Sequence, residues 1–224
     1  TTVGYARPRH ADGSWVEPFS PDDRSTRNGF TEATSWIYSF HVQHDVPGLI
    51  EAMGGREAFL ERLDAFFDDG HFDVSNQPSF HVPWLYAAAG DPSGTQRRVR
   101  ETLVSRFDDT PGGLPGNDDA GATSAWVVLA TLGLYQVDPS EPTWTIATPR
   151  VRRAELRLHP GYYDGGTFVI ETDGDPAAEP YIASATLDGE PLDRAWLTHA
   201  EIAGGGTLRL TLSDAPTAWG AAGD

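Results

Sequence analysis

Cysteine is absent from the 224 residues of this chain, and so is lysine. Without cysteine the chain can form no disulfide, no thiolate metal site and no cysteine nucleophile. Because lysine is missing, all 16 basic side chains are arginine, and against 33 acidic ones they leave a formal net charge of −17. Nucleic acids and anionic membranes attract basic surfaces, so this balance argues against both as partners.

Several motifs and runs are missing as well. No stretch of 18 apolar residues occurs, so the sequence predicts no membrane-spanning helix. There is no dinucleotide-binding GxGxxG, no P-loop, no GxSxG elbow and no HExxH. His41 and His44 are spaced i, i+3, but without a third ligand they are better explained as helix surface residues than as a zinc site. The chain opens with TTVGYARPRH, without an initiator methionine or an apolar signal segment, and we expect it to be a piece of a longer protein.

Helical periodicity dominates residues 1–138. In REAFLERLDAFFDDG, for example, one apolar stripe is formed by Phe59, Leu63, Phe66 and Phe67. The segment AGATSAWVVLATLGLY is apolar nearly all round, which predicts a deeply buried helix. Short loops between paired helices indicate a toroid or a bundle of antiparallel helices.

From about Pro139 the periodicity changes to two. It is visible in AELRLH, TFVIET, YIASATLDG and TLRLTL, with glycine-rich or proline-rich turns between them. These segments predict an antiparallel β module over residues 139–224. Helices followed by strands, rather than alternating with them, indicate an α+β fold with segregated layers.

Asp118 and Asp119 lie between a glycine-rich loop and the most apolar helix. Aspartate beside the free N–H groups of a helix start is a strong cap. A cap needs one carboxylate, however, and this site has two. An aspartate that accepts N–H bonds stays ionised, which suits a catalytic base. On spacing alone the cap is the favoured explanation, and catalysis is the alternative.

Glu32 is a second candidate. Thr31 predicts the N-cap of a helix in EATSWIYSFHVQ, which would place Glu32 in the first turn, four residues before Trp36. The helix dipole would favour its charged form there. Burial against aromatic side chains would instead raise the pKa of Glu32 and make it an acid. The two effects oppose each other, and both remain open.

Asn76 and Gln77 precede Pro78 in a polar loop. Amide oxygens are ligands of hard cations such as Ca²⁺ rather than of Zn²⁺. Taken alone, Asn-Gln-Pro is an ordinary loop. One carboxylate able to act as an acid, another kept ionised and a polar loop between them outline a glycosidase.

Five segments in chain order resemble the exo-α-mannosidases of glycoside hydrolase family 92: WVEPF, FTEATSWIYSFHVQHDVPGLIEAMGG, NQPSFHVPWLY, LPGNDDAGATSAWVVLATLGLYQVDP and ATLDGEPLDRAWLTHAEIAGGGTLRLTL. The resemblance covers essentially the whole chain. It implies the C-terminal part of an (α/α)6 toroid followed by a β module, with the N-terminal half of the same enzyme, including a β-sandwich, as its missing partner. It also implies inverting, Ca²⁺-dependent hydrolysis of terminal α-mannosides by a secreted or otherwise extracytoplasmic bacterial enzyme.

The same resemblance implies roles for individual residues. Glu32 occupies the position of the general acid, and Asp119 that of the base that activates water, with Asp118 beside it. Asn76 matches a residue of the calcium loop. Gln77 stands where the family commonly has glutamate, and with Asn76 it is the expected metal-binding pair.

The leaving-group side departs from the pattern of α-1,2-specific members. Val74 and Ser75 replace a His-Glu pair that contacts the leaving sugar, and Phe80-His81 replaces His-His. Val74, Ser75 and His81 are therefore the expected substrate-side residues, and the linkage preference is not strictly α-1,2. Losing a carboxylate also suits an anionic leaving group, so mannose-phosphate-mannose is the alternative substrate, although Glu32 favours an ordinary glycoside.

An inactive carbohydrate-binding relative is the alternative of another class. The occupied acid, base and calcium-loop positions argue against it.

Overall fold

Helices occupy the first part of the chain and strands the second. The computed structural model describes residues 4–25, 27 and 29–221. The helices are α1 (Ser35–Ser39), α2 (Val46–Ala52), α3 (Arg56–Asp68), α4 (Leu85–Ala88), α5 (Pro92–Arg106), α6 (Ala122–Leu132) and α7 (His199–Ala203). The strands are β1 (Leu134–Tyr135), β2 (Thr143–Ile146), β3 (Arg153–Arg157), β4 (Thr167–Asp173), β5 (Tyr181–Leu187), β6 (Glu190–Pro191), β7 (Trp196–Thr198) and β8 (Gly206–Ser213).

Helix α1 begins later than the sequence predicts. Its N-cap is Thr34, whose backbone is extended and whose side chain accepts a hydrogen bond from the backbone N–H of Ile37. Glu32 therefore lies in the bend before the helix and not in its first turn, with a left-handed φ of 54°. The prediction that Thr31 caps the helix is wrong because Thr34 satisfies the free N–H instead.

The two histidines proposed as helix surface residues do not share a helix. His41 follows α1, and His44 lies in the short 3-10 helix Gln43–Asp45. The i, i+3 spacing is therefore not the spacing of one helix face here. Among the residues that the structure describes, no group of three His, Cys, Asp or Glu side chains could hold a metal ion.

The helical part packs around a core of aromatic side chains. The stripe of α3 is confirmed for Phe59, Leu63 and Phe66, which are fully buried, whereas Phe67 is only partly buried at its edge. Phe66 packs on Phe40 with 5.1 Å between ring centroids. Fully buried Trp84 stacks on Tyr135 at 5.2 Å.

Helix α6 is buried on one side only. Trp126 and Ala130 are buried in the core, whereas Val128 on the opposite side is 58% exposed and Ala125 is exposed as well. The prediction of a deeply buried helix is therefore wrong within the described residues. An all-round apolar sequence predicts burial, but it does not say which neighbours the helix has in this part of the chain.

The strands form two sheets. The larger has the order β3-β4-β8-β5-β6, and the smaller has the order β1-β2-β7. Strands β4 and β8 pair in parallel, with Ile170 opposite Leu208, and all other pairs are antiparallel. The larger sheet is therefore mixed, and the prediction of a purely antiparallel module is wrong. Period-two alternation marks which face of a strand is buried but not the direction of its neighbour.

Helix α5 joins the larger sheet to the helical part. The Gln96 side-chain oxygen accepts a hydrogen bond from the backbone N–H of Ile182 in β5, 3.0 Å away. The Arg100 guanidinium donates to the carbonyls of Pro176 and Ala177, in the loop between β4 and β5. None of the helices in the described part of the chain is both long and apolar enough to cross a bilayer.

Candidate active site

Three loops meet at a polar cleft of about 380 Å³. One loop precedes α1, the second precedes the short 3-10 helix Gln77–Ser79, and the third leads into α6. The residues that line the cleft are Glu32, Ser75, Asn76, Gly116, Asn117 and Asp119. The folding of the chain thus brings together the three loops that carry the acids and amides selected from the sequence.

Two neighbouring amide side chains link the two acids of the cleft. Asn76 Nδ2 donates a hydrogen bond to Glu32 Oε2 at 3.1 Å. Gln77 Nε2 donates to Asp119 Oδ2. Asn76 Oδ1 accepts from the backbone N–H of Gln77 at 3.1 Å. A continuous series of contacts therefore runs from one carboxylate through the amide pair to the other.

Both acids of the cleft have left-handed backbones, which non-glycine residues seldom adopt. The φ angle is 54° at Glu32 and 48° at Asp119, and it is 59° at Ala120. Such a conformation costs roughly 1–3 kcal/mol per residue and clusters at functional sites, although it also occurs in turns, as at Asp188 with a φ of 53°. Two strained acids on one cleft therefore point to function.

Asp118 and Asp119 have two explanations, a helix cap and a catalytic carboxylate, and the structure gives the two side chains different contacts. Asp118 Oδ1 accepts a hydrogen bond at 2.8 Å from the backbone N–H of Ser124, in the first turn of α6. Its carbonyl also accepts from the N–H of Thr123 at 3.2 Å. Asp118 is therefore a helix cap, which leaves the side chain of Asp119 to face Gln77.

The loops that carry the amides and the acids approach each other closely at Gly116. A Cβ atom at this position would lie 2.3 Å from the carbonyl oxygen of Ser75. Only glycine leaves room for this contact. Neither Gly116 nor Asn117 was identified from the sequence as lining a cleft. The Gly-Asn pair before the acids is a turn signal that could have indicated it.

Val74 and His81 lie outside the cleft. The Val74 side chain is buried in the helical core, and His81 is fully buried. His81 Nε2 donates to the carbonyl of Phe40 at 2.7 Å, and burial lowers the pKa of His81 to about 4. This burial does not fit the substrate contacts expected of the two side chains. Ser75 alone of the three expected residues lines the cleft.

The chemistry of the cleft fits a hard cation. Its side chains offer amide and carboxylate oxygens, but neither sulfur nor imidazole. The side-chain nitrogens of Asn76 and Gln77 face the two acids, which turns the Gln77 oxygen, Oε1, away from Asp119. Within the described residues, no hydrogen bond to this oxygen is made. An oxygen in this situation suits Ca²⁺ and not Zn²⁺.

A larger cleft of about 810 Å³ lies between α2 and the smaller sheet. It contains the half-exposed Trp196 and the acids Asp138 and Glu141. Asp138 there accepts hydrogen bonds from Ser140 in its own turn. Size alone would select this cleft, but in the described residues it has no pair of acids joined by amides.

The chain is similar to known glycoside hydrolases. The glycosyl hydrolase family 92 catalytic domain matches residues 1–214. An uncharacterized secreted glycosidase of Arthroderma benhamiae is 32% identical over an alignment of 228 positions, which covers 97% of this chain and 29% of that protein.

Solved structures of the same family have the same fold. The GH92 α-mannosidase BT3965 from Bacteroides thetaiotaomicron, in complex with mannoimidazole, matches with a TM-score of 0.88 and 28% identity over 96% of this chain and 30% of that one. The GH92 inverting mannosidase BT2199 from the same organism matches with a TM-score of 0.87 and 31% identity. This match covers 97% of this chain and 32% of that one. The chain therefore spans about three tenths of the length of these relatives.

Proposed function

The chain belongs to glycosyl hydrolase family 92, and we propose that the protein hydrolyses terminal α-mannosides with inversion of the anomeric carbon. Its structural relatives include an α-mannosidase and an inverting mannosidase. The observation that carries the proposal is the pair of carboxylates, Glu32 and Asp119, that line one cleft and are linked through two amides.

An inverting glycosidase needs one acid and one base. The acid protonates the departing oxygen, and the base activates water on the opposite face of the sugar, with roughly 6.5–9.5 Å between the two carboxyl groups. We assign the acid to Glu32 and the base to Asp119. Asp118 supports Asp119 by anchoring its loop to the start of α6.

Asn76 and Gln77 are the residues that would hold Ca²⁺ in this cleft. The oxygen-only donor chemistry of the cleft supports this assignment. When bound, the cation would supply positive charge that holds the hydroxyl groups of the terminal sugar. It would need further oxygen ligands from substrate or water, because Ca²⁺ takes 6–8 of them.

We further propose that the helices of residues 1–138 form the C-terminal part of an (α/α)6 toroid and that residues 139–224 form a module packed on it. The remainder of the enzyme would be the partner of the chain. The open apolar side of α6, with Val128 58% exposed, supports a partner at this surface. The secreted relative from Arthroderma benhamiae supports an extracytoplasmic enzyme.

The preferred glycoside is not restricted to an α-1,2 linkage. Ser75 is an uncharged residue of the cleft, where the resemblance leads one to expect a contact with the leaving sugar. The absence of a carboxylate at this position also supports a second candidate, the hydrolysis of mannose-phosphate-mannose. Rates measured on α-1,2- and α-1,3-linked mannobiose and on a mannosyl phosphodiester distinguish the two.

The reaction can be followed by proton NMR of the anomeric region, with the protein and an α-mannobiose. The proposal predicts that β-mannose appears first and mutarotates later. Chelation of calcium should stop the reaction, and Ca²⁺ but not Zn²⁺ should restore it. Initial release of α-mannose, no hydrolysis at all, or full activity after exhaustive chelation would contradict it. Binding of the sugar without hydrolysis would indicate the inactive carbohydrate-binding relative.

A further inference from the structure

We propose that Gln77 is a positioning residue for Asp119, and that it positions this carboxylate through its side-chain N–H, in addition to the metal role proposed for its oxygen. The inference rests on the proposed function, because it assumes that Asp119 activates water. Its starting point is the hydrogen bond from Gln77 Nε2 to Asp119 Oδ2. Asn76 makes the matching contact with Glu32 at 3.1 Å.

The backbone of Gln77 is fixed on both sides. Its N–H is bonded to the Asn76 side chain at 3.1 Å, and its carbonyl accepts from the N–H of Phe80 at 3.0 Å. Pro78 follows directly and restricts the conformation of Gln77 further. The backbone that carries the Gln77 side chain is therefore held in one conformation, and only the side-chain torsion angles set the direction of the amide group.

Asp119 depends on a contact of this kind. Its own loop has left-handed backbone at Asp119, Ala120 and Gly121. The Asp119 carbonyl accepts a hydrogen bond from the N–H of Ala122 at 3.3 Å, but the side-chain bond to α6 is made by Asp118. The start of the helix therefore holds the Asp119 backbone and leaves its carboxylate to Gln77. In the described residues, Gln77 provides the side-chain hydrogen bond to this carboxylate.

Glutamine is the suitable residue for this role. Its amide donates a hydrogen bond without bringing a charge. The glutamate that the family commonly has at this position could not donate in its ionised form, so the contact with Asp119 is proposed as a feature of this chain. A bond to Oδ2 leaves Oδ1 without a hydrogen bond from the described residues, so that Oδ1 can accept the proton of the attacking water.

The test compares Gln77→Met with Gln136→Met in the complete protein. Methionine has nearly the same length as glutamine but no N–H donor. Gln136 also donates through Nε2, at 2.8 Å to the carbonyl of Glu141, but it lies outside the cleft.

Gln77→Met should lower kcat by about 10- to 100-fold, the usual effect of removing a supporting partner of a functional group. KM at saturating Ca²⁺ should change by less than about twofold, because ground-state binding of the sugar is retained. The Ca²⁺ concentration for half-maximal activity should rise, because the oxygen assigned to Ca²⁺ is also lost, but kcat should stay low at saturating Ca²⁺. Gln136→Met should resemble the wild type.

Two results would overturn the inference. One is an unchanged kcat in Gln77→Met. The other is a kcat that excess Ca²⁺ restores, together with a raised Ca²⁺ requirement, because Gln77 would then act only as a metal ligand. Calorimetric titration with Ca²⁺ alone measures the change in Ca²⁺ affinity without turnover.

A second readout does not depend on activity. The side-chain NH2 resonances of Gln77 in ¹⁵N spectra should shift in Asp119→Ala, because the acceptor is lost, and should not shift in Asp108→Ala. If the chemical shifts of these resonances do not change in Asp119→Ala, the inference is overturned, even when the protein is inactive. Absence of hydrolysis by the wild type would instead contradict the proposed function.

Discussion

Glu32 and Asp119 each combine a left-handed backbone with a side chain on the same cleft. Strain of this kind persists only where neighbouring contacts fix the conformation. At Asp119 these contacts are the cap made by Asp118 and the bond from Gln77. At Glu32 the contact is the bond from Asn76. Each of the two acids is therefore held in place by hydrogen bonds from different neighbouring residues.

His81 gives a prediction for the dependence of stability on pH. Burial lowers its pKa to about 4 from the ordinary value of 6.5, and His41 adds a smaller lowering. Between these two pH values the unfolded chain binds a proton that the folded chain does not. The free energy of unfolding should therefore fall as the pH drops from 6.5 toward 4, by up to roughly 3 kcal/mol.

Urea unfolding of the wild type and of His81→Gln checks this prediction. Glutamine can still donate to the carbonyl of Phe40 but does not titrate, so the difference between the two curves over this pH range isolates His81. His44→Gln, at a residue outside the core, is the control. Parallel curves for the wild type and His81→Gln would contradict the assignment.

Helices α3 and α5 are joined by a charged contact centred on Arg98. Its guanidinium is only 7% exposed and bonds Asp64 at 3.2 Å and Asp68 at 2.7 Å. The hydroxyl of Tyr86 donates to the same Asp64 at 2.8 Å, and burial raises the pKa of Tyr86. This cluster is a structural link within the helical part and lies outside the cleft.

Arg98→Met should destabilise the protein by about 1–2 kcal/mol. The loss of a buried partner would cost more, but both aspartates are about half exposed, so water can solvate them. Urea midpoints measure the effect, with Arg106→Met at the exposed end of α5 as the control. Equal shifts for the two variants would show that the cluster adds nothing to stability.

Elements differ in how far their sequence predicts them. The stripe of α3 and the alternation of β4 and β8 depend on local periodicity, and the buried faces follow from it. The start of α1 was misplaced because Thr31 and Thr34 are both good caps, and only the fold selects one. The parallel pairing of β4 with β8 and the open side of α6 depend on neighbours that are distant in sequence.

The candidate site was predictable in composition but not in assembly. The sequence singled out Glu32, Asn76, Gln77 and Asp119, and all four meet at or beside one cleft. Their hydrogen-bond pairing could not be predicted, because it depends on how three separate loops pack. The burial of Val74 could not be predicted either, since a valine in a polar loop gives no sign of which way it faces.

At the scale of the whole molecule, α5 connects the helices to the strands. Its contacts include Gln96 with Ile182 and Arg100 with the loop after β4. Ser93 adds a bond to the carbonyl of Thr217, 2.9 Å away. Limited proteolysis should therefore not release residues 140–224 as a soluble folded unit. Isolation of such a unit, with native-like strand content by circular dichroism, would contradict the packing of the two parts.

The proposed mechanism requires that Glu32 is the acid and Asp119 is the base. It predicts that Glu32→Gln abolishes hydrolysis of mannosides with poor leaving groups but spares those with good ones, such as a nitrophenolate, which need no proton. Asp119→Asn should slow every substrate alike, because each needs activated water.

The most direct measurement is therefore kcat/KM for the wild type and both variants on mannobiose and on nitrophenyl α-mannoside. These roles lead us to expect a large difference between the two substrates for Glu32→Gln and a uniform loss for Asp119→Asn. If Glu32→Gln slows both substrates equally, Glu32 is not the general acid.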